Sequence, residues 1–159
     1  MMYAHYMAAE EILDQLIEVS LLLQADMARS LTALGLTATK THLLWEVHRN
    51  GPCTQQRLSE AIGVSPRHVT ALVDALESEG LAWRRPHPQD RRAVLVELTG
   101  QGAATVVQME RQRAQDAAAL VGGLDPGTVQ GLRSGLDTVL IRLRRLVAEA
   151  GADEEGDAR

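Results

Sequence analysis

An arginine-rich segment in the middle of the chain carries the side chains best suited to bind a phosphate backbone. Arg84, Arg85, Arg91 and Arg92 lie within nine residues of one another, and Asp90 is the only acid among them. A guanidinium at the end of a stiff turn can enter the minor groove of duplex DNA, where the potential is most negative. A solvated charged turn is the alternative, and the excess of arginine over acid favours the DNA interpretation.

The residues around this segment predict a β-hairpin. Apolar residues alternate with other residues on both sides of the tip, at Leu81, Trp83, Val94, Val96 and Leu98. A period of two is typical of a strand with one buried face. Residues 86–90 include two prolines, which exclude a helix and favour an extended turn between the strands.

Two short helices joined by a tight turn are predicted before the hairpin. The first ends in an apolar stripe, and Gly63 can adopt the left-handed conformation that closes a helix. Ser65 is a good N-cap, and Pro66 suits the first helical position. The second helix buries one face through apolar residues at i, i+3, i+4 and i+7: Val69, Leu72, Val73 and Leu76.

The opposite face of the second helix has groups that can contact DNA bases. Arginine can reach guanine O6 and N7, threonine offers a methyl or a hydroxyl, and a helix N-terminus attracts phosphate. An ordinary helical hairpin with a solvated polar face is the alternative. We predict a winged helix-turn-helix whose DNA-contacting residues are Ser65, Pro66, Arg67, His68, Thr70, Ala71, Arg84, Asp90, Arg91 and Arg92.

This part of the chain resembles the MarR family of bacterial transcription regulators. Three segments carry the resemblance: LTATKTHLLWEV, AIGVSPRHVTALVDALESEGL and PQDRRAVLVELT. The resemblance implies that Arg92 enters the minor groove and that Asp90 orients an arginine of the wing or of the recognition helix through an ion pair. The chain departs from the family pattern at His87, where an acid is common.

The resemblance also implies an effector pocket between the terminal helices and the winged domain. Many family members bind lipophilic or aromatic acids there. The candidate lining residues lie along one predicted helix and are His42, Trp45 and Arg49. Core packing is the alternative for Trp45, and a solvated position is the alternative for Arg49.

The flanking segments predict a dimer. We expect residues 36–99 to form the DNA-binding domain, and residues 8–35 and 100–150 to form a helical dimerisation region. Leu132, Leu136, Val139, Leu143 and Leu146 follow a heptad spacing suited to another helix. An intrachain three-helix bundle is the alternative. Residues 151–159 are acidic and predict a disordered tail.

Composition narrows the class of protein. The chain has 159 residues and a net charge of −5, so DNA affinity must come from the placement of cations and not from bulk charge. A winged helix that binds only proteins is therefore a competing interpretation. Cys53 is the single cysteine, which excludes an intrachain disulfide. We expect it to be a packing residue, with a redox-responsive regulator as the alternative.

The sequence has no motif typical of catalysis, and its histidines lack the close pairing of most metal sites. We therefore expect no enzyme activity, cofactor, metal or membrane span, and a cytoplasmic location. Together these patterns predict a mainly α chain with a small β-wing. Its expected function is that of a homodimeric, ligand-responsive repressor that binds a palindromic operator in double-stranded DNA.

Overall fold

The computed structural model describes residues 2–90 and 93–157, and the side chains of residues 8–90 and 93–150. Within these ranges the elements are α1 (Met2–Ala33), α2 (Ala38–Asn50), β1 (Cys53–Thr54), α3 (Gln55–Ile62), α4 (Pro66–Ser78), β2 (Ala82–Pro86), β3 (Val94–Leu98), α5 (Gly100–Val121) and α6 (Pro126–Asp157). This mainly helical chain with a small antiparallel sheet confirms the predicted fold class.

The sheet has the strand order β1-β3-β2. β2 pairs with β3 from Ala82 opposite Leu98 to Pro86 opposite Val94, which confirms the hairpin. β1 pairs Cys53 with Val96 on the other side of β3. The sequence did not predict β1, because a strand of two residues is too short to show a period.

The hairpin differs from its sequence pattern in which face is buried. Leu81 is buried, but it precedes β2, and the next inward residue is Ala82 at 3% exposure. Trp83 points to the other face of the sheet and is 46% exposed. The pairing of Arg84 with Val96 places Arg84 on the face that packs against the helices, where the alternation of apolar residues does not predict a charge.

The predicted turn between α3 and α4 is present. Gly63 has a φ of 68°, a left-handed conformation that glycine adopts without a Cβ clash. The Ser65 hydroxyl caps α4 by accepting the backbone N–H of His68 at 3.3 Å, and Pro66 is the first helical residue. The order of N-cap, proline and apolar stripe thus predicted where α4 begins.

One hydrophobic core lies beneath the sheet and the helix-turn-helix. It includes apolar residues of α2, α3, α4 and β3 that are fully buried: Leu43, Leu44, Leu58, Val69, Val73, Leu76 and Val96. The predicted inward face of α4 is confirmed, since Leu72 is also buried. This core holds α4 with its opposite face toward solvent.

The wing is fastened to the start of α5 by a close backbone contact. Thr99 caps α5 by accepting the backbone N–H of Gly102 at 2.9 Å, and its hydroxyl donates to the carbonyl of Gly80 at 2.6 Å. A Cβ on Gly102 would lie 1.9 Å from the carbonyl oxygen of Leu81. Only glycine allows α5 to approach the loop before β2 this closely.

α1 has a broad apolar surface that is exposed in a single chain. The residues that are at least half exposed are Ile12, Leu13, Ile17, Val19, Leu21, Leu22, Leu23 and Met27. Leu31 and Leu34, at and just after the end of the helix, pack against the core. An exposed surface of this size is typical of an interaction site.

Residues 110–159 form a second compact unit. The carboxylate of Asp125 accepts the backbone N–H groups of Gly127 and Thr128 and so caps α6. The hydroxyl and backbone N–H of Thr128 hold the pKa of Asp125 below its ordinary value. Four of the five heptad residues of α6 are exposed, among them Leu132 and Leu143 at 48% and 54%, and Val139 is half-buried.

α6 continues to Asp157, which corrects the prediction of a disordered tail from residue 151. The tail contains alanine and glutamate, which have high helix propensity. Adding residues to an existing helix is also far less costly than nucleating a new one. Acidity alone was therefore a poor indicator of disorder here.

Candidate nucleic-acid interface

The first two turns of α4 present the predicted DNA-reading residues together on one exposed face. These residues are Ser65, Pro66, Arg67, His68, Thr70 and Ala71, and each is exposed to solvent. Their positions follow from the burial of Val69 and Val73 on the opposite side of the helix. Among the residues that the structure describes, the Arg67 side chain has no hydrogen-bond or ion-pair partner, so its guanidinium is available to a ligand.

Arg84 is predicted to contact DNA, but its side chain is directed to α4. Its guanidinium pairs with the carboxylates of Asp74, at 2.6 Å, and Glu77. The same side chain donates to the carbonyl oxygen of Thr70 at 3.3 Å, and its backbone N–H donates to Glu77 at 2.7 Å. Arg84 therefore joins β2 to the recognition helix α4.

Gln55 completes this network from α3. With its amide oriented to satisfy both neighbours, its nitrogen donates to the Thr70 hydroxyl at 3.2 Å, and its oxygen accepts from Arg84 Nε and Nη2 at 3.1 Å each. We refer to Gln55, Thr70, Asp74, Glu77 and Arg84 as the Arg84 network. Sequence reasoning missed Gln55, because no period or motif marks a glutamine at the start of α3.

The second wing arginine with described geometry is Arg85. It pairs with Glu97 of β3 at 2.8 Å, and its guanidinium carbon lies 5.1 Å from the centre of the Trp83 ring. Arg91 and Arg92 lie outside the described residues, so their assignment to DNA stays a prediction.

The wing tip is a hydrogen-bonded turn closed by His87. Its Nδ1 accepts the backbone N–H groups of Gln89, at 3.2 Å, and Asp90, at 3.1 Å. The backbone N–H of His87 donates to the carbonyl of Ala93 at 3.0 Å, and the N–H of Ala93 donates to that of Asp90 at 3.1 Å. Asp90 is thus at the tip as predicted, whereas its role in orienting an arginine stays a prediction.

Residues 54–99 contain six basic and six acidic residues and so have no net charge, and ion pairs explain how this region can present cations. Lys40 of α2 pairs with Glu79 at 2.5 Å, and Arg84 and Arg85 pair with Asp74, Glu77 and Glu97. These acids are held within the domain by basic partners. The α4 face that carries Arg67 and the tip are therefore less acidic than the composition indicates.

The three predicted effector residues lie together, although not where they were expected. His42, Trp45 and Arg49 of α2 line a cleft of about 240 Å³ with Glu46, Ala61 and Ile62. Because Ala61 and Ile62 belong to α3, the cleft lies inside the winged domain and not between it and the terminal helices. Trp45 also packs against the core, as its alternative interpretation required.

The environment of Cys53 does not favour a reactive thiol. Its side chain is 4% exposed, and burial raises the pKa of the thiol, an effect that the charge of Arg57 only partly offsets. A nucleophilic cysteine needs a stabilised thiolate and access. The geometry therefore supports packing over redox chemistry.

Within residues 2–90 and 93–157, no three histidine, cysteine or acidic side chains are grouped so that they could hold a metal ion. Over the same ranges, no helix combines the length and apolar character needed to cross a membrane.

Comparison with known proteins agrees with this geometry. The MarR family model matches residues 36–94. The multiple antibiotic resistance protein MarR of Salmonella typhimurium is 35% identical over 86 residues, which cover 54% of this chain and 60% of that protein. The chain spans less than two thirds of the length of the curated relatives it matches first.

Solved structures extend the likeness to most of the chain. RV1404 from Mycobacterium tuberculosis is 30% identical, with a TM-score of 0.70 over 82% of this chain and 90% of that one. A MarR family protein from Bacillus stearothermophilus is 20% identical, with a TM-score of 0.70 over 86% and 96%. The motifs of the helix-turn-helix and wing, the family model and these folds agree, and the chain belongs to the MarR family of winged helix-turn-helix transcription regulators.

Proposed function

We propose that this chain is a homodimeric, ligand-responsive transcriptional repressor that binds a palindromic operator in double-stranded DNA. The observation that carries the proposal is the exposed face of α4, where Arg67, His68 and Thr70 surround a capped helix N-terminus. Such a face fits the major groove, in which a guanidinium can contact guanine O6 and N7.

The Arg84 network supports this function because it fixes the wing against the recognition helix. Three residues of α4, one of α3 and one of β2 take part. When the helix and the wing are already held at a fixed angle, they can enter adjacent grooves of DNA without an additional cost in conformational entropy on binding. The buried side of α4 anchors the helix in the core and takes no part in this network.

The terminal helices support self-association. Apolar residues are exposed along both α1 and α6, and burying them against a second copy would stabilise a dimer. The two-fold symmetry of such a dimer implies a palindromic operator.

The cleft between α2 and α3 is the candidate effector site. Arg49 and His42 can pair with a carboxylate, and Trp45 provides an aromatic face. An aromatic carboxylate such as benzoate is therefore a suitable probe. In a Trp83→Phe protein the remaining tryptophan is Trp45, so its fluorescence should respond to benzoate. An unchanged spectrum in the presence of benzoate would argue against this site.

Fluorescence anisotropy tests DNA binding itself. Labelled duplexes of about 30 base pairs, long enough for two half-sites one helical turn apart, would tile the DNA that flanks the gene, with shuffled duplexes as controls. We expect one flanking duplex to bind much more tightly than its shuffled form, with an affinity that falls steeply between about 50 and 200 mM salt. The absence of binding to any duplex would instead favour a winged helix that binds only proteins. Equal binding to all duplexes would mean binding without sequence specificity and would contradict operator recognition.

A further inference from the structure

We propose that His87 is a positioning residue of the wing. Its neutral imidazole holds the turn at the wing tip, and protonation of the ring releases that turn and weakens DNA binding. The proposal rests on the proposed function, because it assumes that the wing contacts DNA. It adds a dependence on pH that comes from one side chain.

The geometry assigns the ring nitrogen the place of a turn-forming acceptor. Nδ1 of His87 accepts from two successive backbone donors, Gln89 N–H and Asp90 N–H, at 3.2 and 3.1 Å. Asparagine and aspartate close turns in this way through Oδ1, which occupies the same position along the side chain as Nδ1. His87 is half-buried at the end of β2, so these bonds are partly shielded from water.

The protonation state decides whether this arrangement can exist. A nitrogen that accepts hydrogen bonds carries no proton, so the ring proton must be on Nε2. In the imidazolium both nitrogens carry protons, and Nδ1 would direct an N–H at two other N–H groups. Protonation therefore removes both bonds and adds a repulsion. The histidine side chain as a class changes charge between about pH 5 and 8, which sets the pH range of the test.

The charged groups near the ring predict a direction for the change in DNA affinity on acidification. That direction distinguishes a role of His87 through its charge from a role in holding the turn. Asp90 lies in the same turn, and Arg85 of β2 is already paired with Glu97 at 2.8 Å, while Arg91 and Arg92 lie outside the described residues. The phosphates of bound DNA would attract an imidazolium. If His87 acts only through its charge, the affinity of the protein for DNA should thus rise on acidification. If His87 holds the turn, that affinity should fall.

The test compares the unmodified protein with His87→Asn and His87→Ala at about pH 7.5 and pH 5.5. The probe is the flanking duplex that binds best in the anisotropy experiment. Asparagine keeps the acceptor but does not titrate, so it is the matched control, and the other histidines are present in all three proteins.

We expect the unmodified protein to lose about fivefold more affinity on acidification than His87→Asn, as the loss of one or two hydrogen bonds implies. His87→Ala should bind weakly at both pH values, without this extra loss. Parallel pH profiles for the unmodified protein and His87→Asn would overturn the proposal. A gain in affinity on acidification that depends on His87 would overturn it as well.

A measurement without DNA separates this inference from the proposed function. In NMR spectra of the free protein, the backbone amides of Gln89 and Asp90 should shift with the same midpoint as the His87 ring. In His87→Asn this transition should be absent. If no duplex binds at any pH, the proposed function fails, and the amide titration alone decides whether His87 holds the turn. Amide shifts that do not follow the ring would refute that role.

Discussion

The guanidinium of Arg84 on β2 lies 2.6 Å from the carboxylate of Asp74 on α4. This ion pair connects the wing to the exposed side of the recognition helix, because Asp74 follows Thr70 by one turn on that side. An arginine that composition would assign to DNA is thus used to position two DNA-reading elements. Its charge is balanced within the protein by Asp74 and Glu77.

Arg84→Gln should weaken DNA binding without removing a phosphate contact. Two carboxylates would lose their partner, so the free energy of unfolding should fall by about 1–3 kcal/mol. Without this attachment to α4, the wing would have to be ordered when the protein binds DNA, which costs about 1–2 kcal/mol of binding free energy. The slope of affinity against salt should stay unchanged, which anisotropy at several salt concentrations measures.

Arg85→Gln is the matched control for this prediction. It removes the same charge from the same strand but breaks only the single pair with Glu97 and the contact with the Trp83 ring. We expect little change in stability from Arg85→Gln. A drop of about one unit in the salt slope of Arg84→Gln would mean that Arg84 contacts a phosphate, contrary to the positioning role.

Arg67→Ala should reduce affinity for the operator by about 1–3 kcal/mol, as expected when a base contact is lost. Its folding should be unaffected, because the side chain is exposed and has no described partner. Titrations with the operator and with a shuffled duplex measure the affinity of the variant for each. Arg111→Ala on the exposed side of α5 is the control. Equal losses on both duplexes would identify Arg67 as a phosphate contact.

Gly102→Ala should destabilise the domain. The added Cβ would lie 1.9 Å from the Leu81 carbonyl oxygen, and overpacking of this kind costs about 1–3 kcal/mol. Thermal unfolding followed by circular dichroism should show a lower Tm. Gly100→Ala is the control on the same helix, since a Cβ there meets nothing within 4 Å. Equal Tm values for the two variants would show that the contact is not required.

Leu136→Glu should disrupt self-association. Leu136 is 40% exposed in a single chain and lies in the heptad seam of α6, where a charge would be buried in the proposed dimer at a high cost. Light scattering should give twice the chain mass of 17.3 kDa for the unmodified protein and for the Ser134→Glu control. A dimer of unchanged stability from Leu136→Glu would place the interface elsewhere.

Local signals predicted much of the fold. Ser65 with Pro66 marked the start of α4, because a capping side chain acts on backbone groups within three residues. Thr99 and Asp125 cap α5 and α6 through contacts of the same short range. The apolar stripe of α4 predicted its buried face for a similar reason, since helix geometry alone relates those positions.

The interactions that position the candidate site were not predictable in this way. The sequence placed Arg84 near the wing, but its direction depends on Asp74 and Glu77, which lie on another element. The partnership between Gln55 and Thr70 spans fifteen residues and leaves no period. The cleft of Trp45 and Arg49 was misplaced, because its other wall is supplied by α3.

Hydroxyl-radical footprinting on the best-bound flanking duplex tests the central claim most directly. If two copies of α4 read the major groove and two wings enter the adjacent minor grooves, protection should appear in two halves related by two-fold symmetry. Their centres should lie about 10 base pairs, or a multiple of that, apart, and protection should be lost in Arg67→Ala at the same protein concentration. Uniform protection without regard to sequence would contradict the account. The absence of protection at protein concentrations that saturate the duplex in the anisotropy experiment would contradict it as well.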